Sequence, residues 1–112
     1  MKIYHNPRCR KSREGVQYLT DKKINFEIFD YLKEGVSEDD IKSILKKLNM
    51  SAIELVRKNE KIWKDNFKGK ELKEEQIISI LCEEPKLMER PIIVHKNKAV
   101  IGRPKENIDN LL

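Results

Sequence analysis

The sequence predicts an α/β fold in which a four-stranded mixed sheet is covered by helices. Three observations carry this. The first thirty or so residues read as strand, helix, strand, and the last twenty or so as strand, strand, helix. Between them, at about residues 33–88, lies a stretch whose apolar spacing is helical.

Each element follows from local chemistry. Lys2–His5 reads as an opening strand with Ile3 and Tyr4 at its centre, ended by the turn signal Asn6-Pro7. Arg10 to about Lys22 reads as a helix with Val16 and Leu19 on one face, weakened by Gly15. Ile24, Phe26 and Ile28 alternate with Asn25 and Glu27, which is the period of a strand. A βαβ unit of this size implies parallel strands and a right-handed crossover. Ser37 with Asp40 forms a capping box, and Ile41, Ile44, Leu45 and Leu48 follow at helical spacing. Ser51 with Glu54 repeats the signal, and Leu72, Ile77, Ile78 and Leu81 suggest a further helix closed near Pro85. Ile92–Val94 and Ala99–Ile101 flank a turn at Lys96-Asn97-Lys98, a hairpin. Gly102-Arg103-Pro104 breaks it. Pro104 suits the first turn of a final helix carrying Ile108, Leu111 and Leu112. The order β-α-β … β-β-α is that of a thioredoxin-like fold with a helical insert. The expectation is one domain, residues 1–112.

Composition excludes several classes. A chain of 112 residues holds one modest core. No run approaches the roughly 20 apolar residues of a membrane span, and the N-terminus lacks the apolar segment of a secretory signal. Two distant cysteines make neither a disulfide framework nor a zinc spacing, so a cytoplasmic setting is expected. Net charge is +5, but one Trp, three Tyr and three Phe leave little for nucleic-acid stacking. The expectation is no nucleic-acid and no membrane partner, and a monomer.

The basic residues divide unevenly into eighteen Lys and six Arg. Arg8, Arg10 and Arg13 surround Cys9. Arg57, Arg90 and Arg103 stand alone. Arg presents a planar fork that matches oxyanions, so the Arg positions stand out in a Lys-rich chain. Cys9 follows a strand and precedes a helix, where unpartnered backbone N–H groups stabilise a thiolate. Arg8, Arg10, Lys11 and Arg13 are expected to push its ionisation the same way. Four cations at a helix N-terminus break the usual preference for acids there, which points to a site that expects an anion.

Other residues keep two readings. Ser12 either satisfies backbone donors or donates to the Cys9 sulfur. His5 either orients the loop and tunes Cys9 or is simply hydrogen-bonded. Cys82 either packs or acts as a resolving thiol. Pro91 opens a strand, either as a cis proline or as an ordinary trans one. Arg103 lies just before a helix, a natural anion position. His95 carries no functional signal.

Taken together the chain resembles the arsenate reductase family of the glutaredoxin-coupled class. The likeness runs through Ile3-Tyr4-His5-Asn6-Pro7-x-Cys9-x-x-Ser12-Arg13, Leu55-Val56-Arg57-Lys58-Asn59, Arg90-Pro91-Ile92-Ile93-Val94 and Arg103-Pro104. The resemblance implies that Cys9 attacks arsenate or a related oxyanion, that Arg57, Arg90 and Arg103 hold it, and that His5 and Ser12 tune the thiolate. It implies glutathione as co-substrate, glutaredoxin as partner, no bound cofactor and no metal. Arg10-Lys11 departs from the small residues often found between the Cys and the Ser. The same fold contains Spx-type transcription regulators that bind RNA polymerase, but their Cys-x-x-Cys switch is excluded by Ser12. A glutathione-dependent thiol reductase with another substrate is the further alternative.

Overall fold

The computed structural model describes all residues from Met1 to Leu112. Main-chain contacts divide the chain into two units, Met1–Gly35 with Arg90–Leu112, and Val36–Glu89.

The first unit holds the sheet. Its strands are β1 (Lys2–Tyr4), β2 (Glu27–Phe29), β3 (Ile92–His95) and β4 (Lys98–Ile101), ordered β2-β1-β3-β4. β1 runs parallel to β2 and antiparallel to β3, and β3 is antiparallel to β4, so the sheet is mixed as predicted. Helix α1 (Arg10–Asp21) crosses from β1 to β2, and the short α2 (Tyr31–Glu34) follows, capped by the Asp30 side chain. Ile3 lies opposite Ile28 on one side and Ile93 on the other. Ile3 and Ile93 form the core with Leu19 of α1 and with Ile108 and Leu111 of the C-terminal helix. Each such side chain contributes roughly 1.5–3 kcal/mol when removed from water.

This core corrects the reading of β2. The alternation predicted Ile28 as an inward residue, but it is 52 % exposed. β2 is an edge strand, and the helical cover is centred on β1 and β3. The last helix is also different. Lys105–Leu111 is a 3-10 helix, and Pro104 stands before it in extended conformation rather than inside its first turn. Tyr18 Oη donates to Asp109 Oδ1 at 2.7 Å, and Lys22 pairs with the same carboxylate at 3.4 Å, tying α1 to this last segment.

Gly15 has a reason that helix propensity hides. A Cβ there would stand 2.9 Å from Cγ of Pro91, a ring atom that cannot swing away. A Cβ on Gly102 would meet Pro91 Cγ at 3.1 Å, and Gly102 N–H donates to the Pro91 carbonyl at 2.8 Å. Two glycines therefore let the chain close around Pro91.

The second unit is helical. α3 (Glu38–Leu48) begins with the predicted capping box: Ser37 Oγ accepts from Asp40 N–H at 3.0 Å, and the Asp40 carboxylate accepts from Ser37 N–H at 3.1 Å. It buries Ile41, Ile44 and Leu45 and ends at Asn49, whose left-handed backbone suits Asn. Ser51 and Glu54 cap only a 3-10 turn, Ala52–Leu55. α4 (Lys61–Asn66) buries Trp63, and α5 (Glu74–Glu83) buries Ile77, Ile78 and Leu81. Leu72 lies ahead of α5 rather than in it. A β-bridge between Val56 and Met88 closes the unit.

Candidate active site

The site begins with a tight turn. The Asn6 carbonyl accepts from Cys9 N–H at 3.0 Å, and Asn6 Oδ1 accepts from Arg8 N–H at 3.0 Å. Asn followed by Pro is the residue pair such a turn favours. The turn delivers Cys9 to the position before α1, where its carbonyl accepts from Arg13 N–H at 3.0 Å. No side chain caps that helix. Its first donors are left for the sulfur, and the backbone N–H groups of Ser12 and Lys11 both reach it.

The Cys9 thiol is held below its ordinary pKa. Burial pushes it up, but the Arg90 guanidinium, hydrogen-bonded to the sulfur, and the two backbone donors together outweigh burial. The activating cation thus comes from just before β3, far along the chain. This corrects the role expected of the neighbouring basic residues. Arg10 and Lys11 turn to Glu14, at 3.4 and 3.5 Å, and Arg13 Nη1 donates to the Pro7 carbonyl at 2.8 Å. Exposed cations are screened by water, and these already have partners. Arg13 instead acts as a brace for the turn.

Behind the turn, His5, Asn6 and Ser12 form a buried polar group. Ser12 Oγ accepts from Asn6 N–H at 2.9 Å and lies 2.7 Å from His5 Nδ1. Burial holds His5 below its ordinary pKa; Asp30 opposes this and Arg13 adds to it. With Ser12 Oγ already accepting from Asn6 N–H, a neutral His5 can accept the Ser12 proton at Nδ1. The hydroxyl of Ser12 therefore serves the loop, and its backbone N–H serves the sulfur.

The Arg90–Pro91 peptide bond is cis, and so is Arg103–Pro104. Arg90 is half-buried; Arg103 is exposed. The loop bearing Arg103 is fastened by Asn107, whose Nδ2 donates to the carbonyls of Ile101 (3.1 Å) and Arg103 (3.3 Å). Cys9, His5, Ser12, Arg90, Pro91 and Arg103 all belong to the sheet unit. Arg57 belongs to the helical unit, where its guanidinium pairs with Glu60 at 2.6 Å and its N–H donates to the Leu87 carbonyl at 2.7 Å. The sequence marks Asn6 as a turn residue and Gly15 and Gly102 as breaks, but it does not show their contacts at the site or Glu60 as the partner of Arg57. The Asn-Pro pair carried a legible signal for Asn6; the others depend on contacts that spacing does not reveal.

Cys82 is the counterexample. Burial raises its pKa, and Glu38, Asp40 and Glu83 raise it further. Both cysteines are free thiols, and no cluster of His, Cys, Asp and Glu is arranged to hold a metal.

A four-stranded mixed sheet with one activated thiol at the start of its first helix, and a cis proline packed on that helix, defines a thioredoxin-fold thiol protein. Comparison with known proteins narrows the class. Residues 4–111 match the model of the ArsC family. An uncharacterized protein of Escherichia coli, YfgD, is 44% identical, over 96% of this chain and 92% of its own. An arsenate reductase of Haemophilus influenzae is 36% identical, over 98% of this chain and 97% of its own. The solved arsenate reductase of Vibrio cholerae superposes with a TM-score of 0.94 at 33% identity, covering 100% of this chain and 98% of that one. The chain belongs to the ArsC family.

Proposed function

We propose that the protein reduces arsenate to arsenite through Cys9, with thiols as the electron source. The contact of Arg90 with the Cys9 sulfur carries this reading. It lowers the barrier to a thiolate and leaves a cation at the point where an incoming oxyanion gains negative charge. Arg103, on the fastened loop, and Arg57 are proposed as further anion ligands. His5 and Ser12 hold the turn that aims the sulfur.

The Cys9 sulfur bonds to arsenic(V), and one arsenate oxygen leaves as water. Glutathione replaces a second oxygen, which also leaves as water. A second thiol, supplied by glutaredoxin, attacks the glutathione sulfur and forms a disulfide. The electron pair of the broken S–As bond stays on arsenic, which becomes trivalent. Water then releases arsenite and restores the Cys9 thiol. The cytoplasm, where such thiols are kept reduced, is the proposed setting.

Arsenate-dependent thiol oxidation by the purified protein tests this. Cys9→Ser should abolish turnover while the circular dichroism spectrum stays unchanged. Turnover that survives in Cys9→Ser would sink the reading.

A further inference from the structure

Beside the Cys9 turn lies a cavity of about 330 Å³ lined by Asn6, Pro7, Arg8, Asp30, Leu32 and Lys33. All six belong to the sheet unit. Arg8 and Lys33 are both exposed, and neither side chain is engaged in an ion pair. Asp30 caps α2 by accepting from Lys33 N–H at 3.2 Å. Leu32 is 40 % exposed, which is unusual for a large apolar side chain in this protein. The lining therefore offers two cations, one carboxylate and an apolar strip formed by Leu32 and Pro7, and one of the cations, Arg8, immediately precedes the nucleophile.

We propose that this cavity seats the small-molecule reductant, a γ-glutamyl thiol tripeptide such as glutathione, and that Arg8 and Lys33 take its two carboxylates. The charge pattern argues for this occupant. Such a tripeptide carries two carboxylates and one ammonium at neutral pH, the inverse of the lining. Arg8 offers a planar fork for bidentate carboxylate binding, and Lys33 a mobile point charge. Asp30 faces the ammonium. A bare inorganic oxyanion would meet the carboxylate and leave the apolar strip unused. The Pro7 and Leu32 surfaces suit the methylene stem of the γ-glutamyl arm. The seat also explains an exposed, unpaired Arg8: with Arg90 activating the thiolate, Arg8 is free to recruit the second thiol. This inference deepens the proposed activity and rests on it for the identity of the reaction, but the binding itself is measurable without arsenate.

The test has two arms. S-methylglutathione, which has no reactive thiol, is titrated into the ¹⁵N-labelled protein. Saturable shifts are expected at the amides of Arg8, Leu32 and Lys33, with affinity falling about tenfold in Lys33→Glu. Asp30 is left intact because it caps α2 and acts on His5. In the second arm, Lys33→Glu and Arg8→Gln should each raise the KM for glutathione about tenfold, with the KM for arsenate and turnover with 2-mercaptoethanol changed by less than about twofold. Absence of saturable shifts, or an equal loss with glutathione and 2-mercaptoethanol, would overturn the seat. Saturable binding at these amides together with no arsenate turnover would uphold the seat and remove the arsenate reading instead.

Discussion

Cys9 and Cys82 are both partly buried thiols at opposite ends of helices, yet the two units push their ionisation in opposite directions. In the sheet unit, the sulfur stands at the start of α1, where backbone donors converge, with an arginine brought in from the far end of the sequence. In the helical unit, the sulfur lies near the end of α5, among three carboxylates. The helix dipole favours an anion at the first position and disfavours it at the second. Burial opposes ionisation at both, so exposure does not separate them. What separates them is the sign of the neighbouring charge and the end of the helix.

The most severe way to break this contrast is to remove its cation. Arg90→Ala should lower kcat/KM for arsenate by about 10²–10³-fold, the usual loss of one oxyanion donor, while the fold persists. The comparison itself is sharpened by alkylation. At neutral pH, iodoacetamide should modify Cys9 at least about ten times faster than Cys82, as read by peptide mass spectrometry. Equal rates would end the argument for an activated thiol.

Gly15→Ala probes the packing that holds Arg90 in place. Helix propensity alone predicts a gain of about 1 kcal/mol. The clash with Pro91 should reverse it, giving a net loss of about 1–3 kcal/mol in urea unfolding and slower Cys9 alkylation. A more stable variant would show that Pro91 has room to move.

The smallest expected effect concerns pH. The folded-state pKa of His5 is depressed, so the unfolded chain binds more protons as pH falls below about 6.5. Stability is complete above that value and declines as pH drops through it toward the folded value. Melting temperature between pH 7 and 5 should show this decline, and His5→Gln should flatten it. A profile identical in the two proteins would place the protonation elsewhere.

The elements most legible in the sequence were those specified by near neighbours. The Ser37–Asp40 capping box and the apolar spacing of α3 were visible directly, and so was the β3–β4 hairpin. α4 was not: its N-cap, Glu60, makes no capping bond, and six residues hold too few apolar positions to show a period. At the site, Cys9 was visible from its neighbourhood, but the source of its activation was not. The nearby cations drew attention, whereas Glu14 and the Pro7 carbonyl occupy three of them. Arg90 reaches the sulfur only because β3 pairs with β1, a long-range event that no local pattern encodes. The edge position of β2, which leaves Ile28 in solvent, was hidden for the same reason.

The sheet unit is discontinuous in the chain, Met1–Gly35 with Arg90–Leu112. During synthesis Cys9 therefore leaves the ribosome about eighty residues ahead of Arg90, a lag of roughly 4–16 s at ordinary elongation rates. Over that interval β1 has no antiparallel neighbour, and the sulfur lacks its guanidinium. Until Arg90 emerges, the nascent protein therefore carries a less acidic thiol than the folded one.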